Sequence, residues 1–285
     1  MASLPPAPVP APVSPPAAVP PPPLPAAAPR RRRFATLRTV AALVLREMST
    51  RYGRTPGGYV WAVLEPLAAI LFLAVGFSLV IHTPSLGTSF LLFYATGYLP
   101  FNLYQSLSLT VSRAISFSHP LLRFPAVTWA DAVIARFLLN SLTGVLVIIL
   151  LLGGILAVID SRTVLDLPKL AAASGMAMLL GLGVGTLNCV LMGLYPLWEM
   201  VWSIITRPLF LASGIFFLYD DMPQLAQDIL WYNPLIHIAG LMRAGVYPTY
   251  TASYVNAPFV VISSLVLLAL GMVLLGRFHR VILNR

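Results

Sequence analysis

The sequence predicts an all-α polytopic membrane protein, and three observations carry that prediction. Of 285 residues, 58 % are hydrophobic and only 9 % charged, where a soluble domain carries about 25 % charged residues. Mean hydropathy is +0.85. The apolar residues gather into six stretches of roughly 20 residues, each long enough to cross a bilayer. These stretches leave too little chain for a second soluble domain of normal size. An ordinary cytoplasmic enzyme and a disordered chain are both excluded. The 18 Lys and Arg against 9 Asp and Glu make the chain basic, with Lys169 the only lysine. Because these charges sit between apolar spans, they set membrane orientation rather than bind nucleic acid. The one cysteine, Cys189, excludes an intramolecular disulfide and a cysteine-based metal site.

Residues 1–33 form the first of three zones. Thirteen of the 26 prolines lie within 1–29, without a single charge. That tract reads as an extended polyproline-like arm, closed by the arginine run 30–33. It is not a signal peptide: the apolar run that follows, 40–45, is too short and no small-residue cleavage site succeeds it. Residues 34–54 form the second zone. Phe34, Leu37, Val40, Ala41, Val44 and Met48 share one helical face; Thr36, Thr39, Arg46, Glu47 and Thr50 share the other, with Leu43 the exception. This is the pattern of an amphipathic helix lying in the membrane interface.

Residues 55–285 form the third zone, a membrane domain with spans predicted at 61–81, 90–111, 130–159, 170–194, 197–218 and 258–275. Fourteen of the 18 cations fall on the side that holds the N-terminus, the second loop and the C-terminus. Positive charge marks the cytoplasmic side, so both termini are expected there. Arg162, Lys169 and Arg243 fall on the outer side, and Arg207 falls within a span.

Two connections carry more than connectivity. The second cytoplasmic loop, 112–128, holds Arg113, His119 and Arg123 beside Phe117, Leu121, Leu122 and Phe124, with a short helix expected between Pro120 and Pro125. Thr128 followed by Asp131 fits a capping box that starts the next span. The last outer connection, 219–257, is long for a structureless loop. Its apolar run DILWYNPLIHIAGLMRAGVYPTY is too interrupted to span, the profile of re-entrant or interfacial helices.

The chemistry is marked by absences. No G-x-x-x-x-G-K-[ST] phosphate loop exists, so the chain does not hold ATP in that way. His82, His119, His237 and His279 fall in different connections and form no metal or nucleophile constellation. No carboxylate pair lies deep in a span; Glu65 and Glu199 both stand near span ends. A proton-coupled transporter would place such groups near the midplane. Tyr94, Tyr98, Asn102, Tyr104 and Gln105 in the second span, with Trp198, Trp202, Arg207, Phe216 and Phe217 in the fifth, suit a wide conduit for sugars or, equally, helix packing with interfacial aromatics. Arg207 falls about 11 residues into its span, roughly mid-membrane. It is read either as a buried structural pair or as a cationic conduit site that meets an acidic sugar or a lipid phosphate. Gly181-x-x-x-Gly185 predicts close helix approach.

The stretches RYGRTPGGYVWAVLEPL at 51–67, ITRPLFLASGIFF at 205–217 and WYNPLIH at 231–237, followed by Arg243, stand in an order that resembles the permease subunits of ABC-2 type exporters for surface polysaccharides. The resemblance is to group 2 capsular polysaccharide export in particular, over roughly 38–280; the proline-rich arm departs from it. It implies six transmembrane helices in a protomer that pairs with a second copy and with two ATP-binding cassette ATPase subunits, which bind the ATP and magnesium. No cofactor is expected in this chain. It implies ATPase contacts from the interface helix (Arg46, Glu47, Arg51) and the second loop (Arg113, His119, Leu121, Arg123, Phe124). It further implies periplasmic gate helices with Trp231, Asn233, Pro234, His237 and Arg243, a periplasmic co-polymerase or adaptor, and a lipid-anchored polysaccharide moving outward across the inner membrane. O-antigen, teichoic acid or another lipid-linked glycan is the alternative cargo. A glycolipid-modifying enzyme lacks a clustered acid and base, and a passive channel or secondary transporter lacks midplane carboxylates.

Overall fold

The computed structural model describes residues 35–52, 57–122, 127–159 and 164–284. The arm at 1–33, Arg123 and Phe124 lie outside the described residues, as does the side chain of Arg51. Ten α-helices and one 3-10 turn make up the described secondary structure, with no strand among these residues. The chain runs through α1 (Ala35–Tyr52), α2 (Val60–Ser78), α3 (Phe90–Ser112), α4 (Ala114–Leu122) and α5 (Trp129–Val158). It continues through α6 (Leu167–Leu194), α7 (Leu197–Leu211), the 3-10 turn Tyr219–Asp221, α8 (Gln224–Leu230), α9 (Pro234–Val246) and α10 (Ala257–Leu283).

Helix α6 is the spine. It packs most extensively against α10 on one side and α3 on the other. Its glycines make this possible: a Cβ at Gly181 would lie 2.8 Å from the Leu107 Cβ, and one at Gly183 would lie 2.6 Å from the Ser264 carbonyl oxygen. Real side chains do not approach so closely, so the expected close contact at Gly181 and Gly185 is met by α3, while Gly183 meets α10. Helix α3 is the most enclosed of the long helices, with 15 of its 23 residues buried, which makes it an interior helix rather than a lipid-facing one. Four helices, α2, α5, α6 and α10, are long and apolar enough to cross a membrane. Their outward faces expose Phe72, Leu142, Ile149, Ile262 and Val273, as a lipid-facing surface requires.

The capping box forms as read: Thr128 accepts from the Asp131 backbone N–H at 3.2 Å, and the Thr128 N–H donates to Asp131 at 2.9 Å. Three other expectations are corrected. The fifth span was expected over 197–218, but α7 ends at Leu211. Gly214 then takes φ +71°, a left-handed turn that apolarity alone does not reveal. The short helix of the second loop is α4, ending at Leu122 with Pro120 inside it, rather than a segment beginning after Pro120. Finally, α1 turns a different face inward. Val40, Leu43 and Glu47 are buried, while Leu37 and Met48 of the predicted apolar face are exposed.

One end of the bundle gathers α1, α4, the start of α5 and the end of α10; we call it the basic end. His119 of α4 shares a 3.0 Å hydrogen bond with the Leu283 carbonyl. At the opposite end the Asp166 N–H donates to the Gly245 carbonyl at 2.9 Å, tying the start of α6 to the end of α9.

Candidate functional site

A cavity of about 850 Å³ opens beside α7, walled by α2, α3 and α7 with Met192 of α6. Its polar groups include Arg113, Glu199 and Arg207, and its aromatic wall includes Tyr98, Tyr104 and Trp202. Four of the predicted conduit residues therefore meet here: Tyr98, Tyr104, Trp202 and Arg207. Phe210, which the sequence reading did not single out, completes the aromatic wall. Arg113 binds Glu199 at 2.6 Å, with both side chains more than half exposed. Such a pair contributes at most about 1 kcal/mol, yet it neutralises both groups. Arg207 is left without an ion pair among the described residues. It is exposed in the single chain, the eleventh residue of α7 and so about 15 Å from that helix's start. The cavity thus pairs apolar and aromatic walls with one uncompensated cation, an arrangement suited to an amphiphile with an anionic part.

The other predicted conduit residues do other work. Tyr94 is buried in a cluster with Phe77, Phe90 and Phe216. The Trp198 indole N–H donates to Asn188 Oδ1 at 2.9 Å. Phe216 and Phe217 follow α7 instead of belonging to it, and the Phe217 carbonyl accepts a 2.9 Å bond from Arg243.

The model of the family described as ABC-2 type transporter matches residues 38–247. The chain belongs to the ABC-2 type transporter family. Among its relatives is the polysialic acid transport protein KpsM of Escherichia coli, 33 % identical over 236 residues that cover 83 % of this chain and 92 % of that protein. The capsule polysaccharide export inner-membrane protein BexB of Haemophilus influenzae is 29 % identical over 248 residues, 85 % of this chain and 92 % of its own length. CtrC of Neisseria meningitidis serogroup A, which carries the same description, is 26 % identical over 244 residues, again 85 % and 92 % of the two chains. This ABC-2 chain is accordingly a multi-pass membrane subunit of an ABC transporter, a system in which ATP hydrolysis belongs to a separate ATPase.

At the basic end of the ABC-2 chain, the structure brings together residues that sequence reading kept apart. Glu47, expected on the polar face of α1, is buried and lies 3.4 Å from the Arg136 guanidinium. Arg136 donates to the Thr110 carbonyl of α3 at 2.7 Å and stands 4.1 Å above the Phe117 ring of α4. Arg46 stands 5.4 Å from the same ring. One guanidinium therefore joins α1, α3, α4 and α5. Leu121 adds apolar contact, half-buried against Val40, Leu43 and Ala135. The signal for Arg136 in the sequence is an arginine inside the 130–159 apolar stretch, which demands a partner.

At the opposite end, the predicted gate residues form internal ties. Asn233 caps α9 by accepting from the Leu235 N–H at 3.1 Å, and its own amide donates to the Ala212 carbonyl at 2.9 Å. Pro234 occupies the first helical position, where its missing N–H costs nothing. Arg243 is fully buried, bonded to the Phe217 and Ile215 carbonyls and 4.4 Å over the Phe93 ring. It clasps the turn after α7. Trp231 packs against His237 and Phe259.

His237 shares a 2.8 Å bond with the Trp231 carbonyl, and its Nδ1 accepts from the Asn256 N–H at 3.3 Å. Those roles fit a neutral ring protonated on Nε2. Burial pushes its pKa below the ordinary 6.5, against backbone hydrogen bonds that raise it. The folded chain therefore prefers the neutral ring. That contribution is complete above pH 6.5 and declines as the pH falls through it. Thermal unfolding of the purified protein should shift down by a few degrees between pH 7.5 and pH 5.5, with the shift reduced in His237→Gln. An unchanged shift in that variant would remove His237 as its source.

Proposed function

We propose that this chain is the membrane subunit of an ATP-driven exporter that carries lipid-linked capsular polysaccharide outward across the inner membrane. The single observation that carries the reading is the amphiphilic cavity beside α7, with aromatic walls and the uncompensated Arg207, in a chain whose relatives are named for polysialic acid and capsule polysaccharide transport. Aromatic faces suit the CH surfaces of sugar rings. A guanidinium suits a sugar carboxylate or a lipid phosphate.

On this reading the membrane is crossed six times. Helix α3 makes one crossing shielded by its neighbours, and α7 makes another that ends at the turn at Gly214. No residue of α7 is buried in the protomer, and its exposed Met200, Val201, Ile204 and Ile205 are covered by a second copy, which closes the conduit. The basic end faces the cytoplasm, because positive charge is retained there. Two ATPase subunits dock on α1 and α4 and hold the ATP and magnesium. Arg46, Arg51, Leu121, Arg123 and Phe124 belong to that contact, whereas Glu47, His119 and Arg113 hold α4 and its neighbours in place within the chain. Helices α8 and α9 form the outer mouth, where a periplasmic adaptor receives the polymer.

Mass spectrometry of the protein purified gently from its native membrane tests this directly. The expected result is co-purification of a second copy, an ATP-binding cassette ATPase and a glycolipid. Recovery of the ATPase with a cargo that carries no sugar would overturn the polysaccharide assignment while leaving the transporter assignment intact.

A further inference from the structure

A second cavity, of about 510 Å³, lies between α2, α3 and α5, with Gly58 in its lining. It adjoins the Arg207 cavity, since Tyr98, Gln105 and Leu109 line both. Its lining differs sharply in chemistry. Glu65, Asn102, Gln105, Asn140 and Thr143 face it, and no lysine or arginine among the described residues does.

We infer that this cavity is a binding site for an uncharged sugar ring, separate from the Arg207 cavity that takes the anionic part of the cargo. The inference rests on the glycan reading above and assigns it a second subsite. Three arguments support it. Polar side chains within helices that otherwise present apolar faces to lipid are costly unless they meet water or a polar ligand. Asn140 and Thr143 already donate to the Arg136 and Leu139 carbonyls at 2.7 and 2.9 Å and so present acceptor oxygens. Glu65 accepts, and the Asn102 and Gln105 side chains bring amides that both donate and accept. A sugar hydroxyl also does both, so this inventory can satisfy a ring on several sides. The second argument is electrostatic. Glu65, with no cation among the described lining residues, repels a carboxylate or phosphate, which sends the charged part of the cargo to Arg207 and leaves this cavity to neutral groups. The third is shape: Trp61 lines this cavity and Tyr98 lines both cavities, giving flat apolar faces for the CH side of a ring. The volume falls within the range of about 300–1,000 Å³ typical of small-molecule sites, far larger than a lone ion requires.

The test uses the full chain with its ATPase in phosphatidylcholine nanodiscs and two probes, isomaltotriose as a neutral trisaccharide and a sialic acid trimer as an acidic one. Saturation-transfer NMR reads the binding of each. Isomaltotriose should bind, and its affinity should fall about tenfold in Glu65→Gln and in Asn102→Leu, the loss expected for one or two hydrogen bonds. Arg207→Gln should leave it unchanged. The acidic trimer should show the reverse pattern, and its retained binding in Glu65→Gln and Asn102→Leu shows that those variants are folded. Isomaltotriose affinity that is insensitive to both substitutions would overturn the site. So would absent isomaltotriose binding with Arg207-dependent binding of the acidic trimer, and that outcome leaves the glycan reading standing. If neither probe binds, the site is overturned and the glycan reading loses its support with it.

Discussion

Arg136→Gln is expected to destabilise the protein by about 3–5 kcal/mol, the cost of leaving a buried charge without its partner. The charge left behind is Glu47, which lies against Arg136 with about 4 % of its side chain exposed. The loss should reach function, because the same guanidinium bonds Thr110 of α3 and covers Phe117 of α4. With it removed, α1 and α4 lose their common anchor, and ATPase co-purification should fall together with thermal stability. Glu47→Gln should do similar damage by stranding Arg136. The double variant Glu47→Gln/Arg136→Gln removes both charges and should be more stable than either single variant, since buried pairs often contribute little net stability as pairs. A thermal-unfolding double-mutant cycle checks this. Losses that simply add would mean that the two groups do not interact.

Arg207→Gln should remove most export with normal membrane levels and normal ATPase assembly, while Arg207→Lys should retain part of it. Lysine keeps the charge but offers a point cation in place of the planar fork. The structure sharpens the expectation. Glu199, on the same helix, is held by Arg113 at 2.6 Å, so Arg207 has no carboxylate to lose and its removal leaves no buried charge. A folding defect is therefore not expected, and the effect should appear in surface polysaccharide. Normal surface polysaccharide in Arg207→Gln would remove the conduit role. Failure of that variant to accumulate would mean that Arg207 is a structural residue.

Much of this arrangement was legible in the sequence where a local rule was sufficient. Hydropathy found the long helices, Thr128 and Asp131 announced the start of α5, and Gly181 and Gly185 announced a close helix contact, which α3 makes. Arg207 stood out because a lone arginine in an apolar stretch demands an explanation. The rest depends on contacts between distant residues. The pair Glu47 and Arg136 joins α1 to α5, and no helical wheel of α1 contains that partner. The end of α7 depends on a backbone turn at Gly214 inside a continuous apolar run, which hydropathy reads straight through. Arg243 and Asn233 were expected at a gate from the family resemblance alone; their bonds to carbonyls at 215, 217 and 212 make them internal ties of that connection.

The most direct test of the exporter reading is transport in inside-out membrane vesicles carrying the chain, its ATPase and radiolabelled lipid-linked capsular glycan on the outer, cytoplasm-derived face. Glycan protected within the vesicle lumen should rise on ATP addition, and vesicles lacking either protein should show no rise. Equal protection without this chain, or without ATP, would contradict the account.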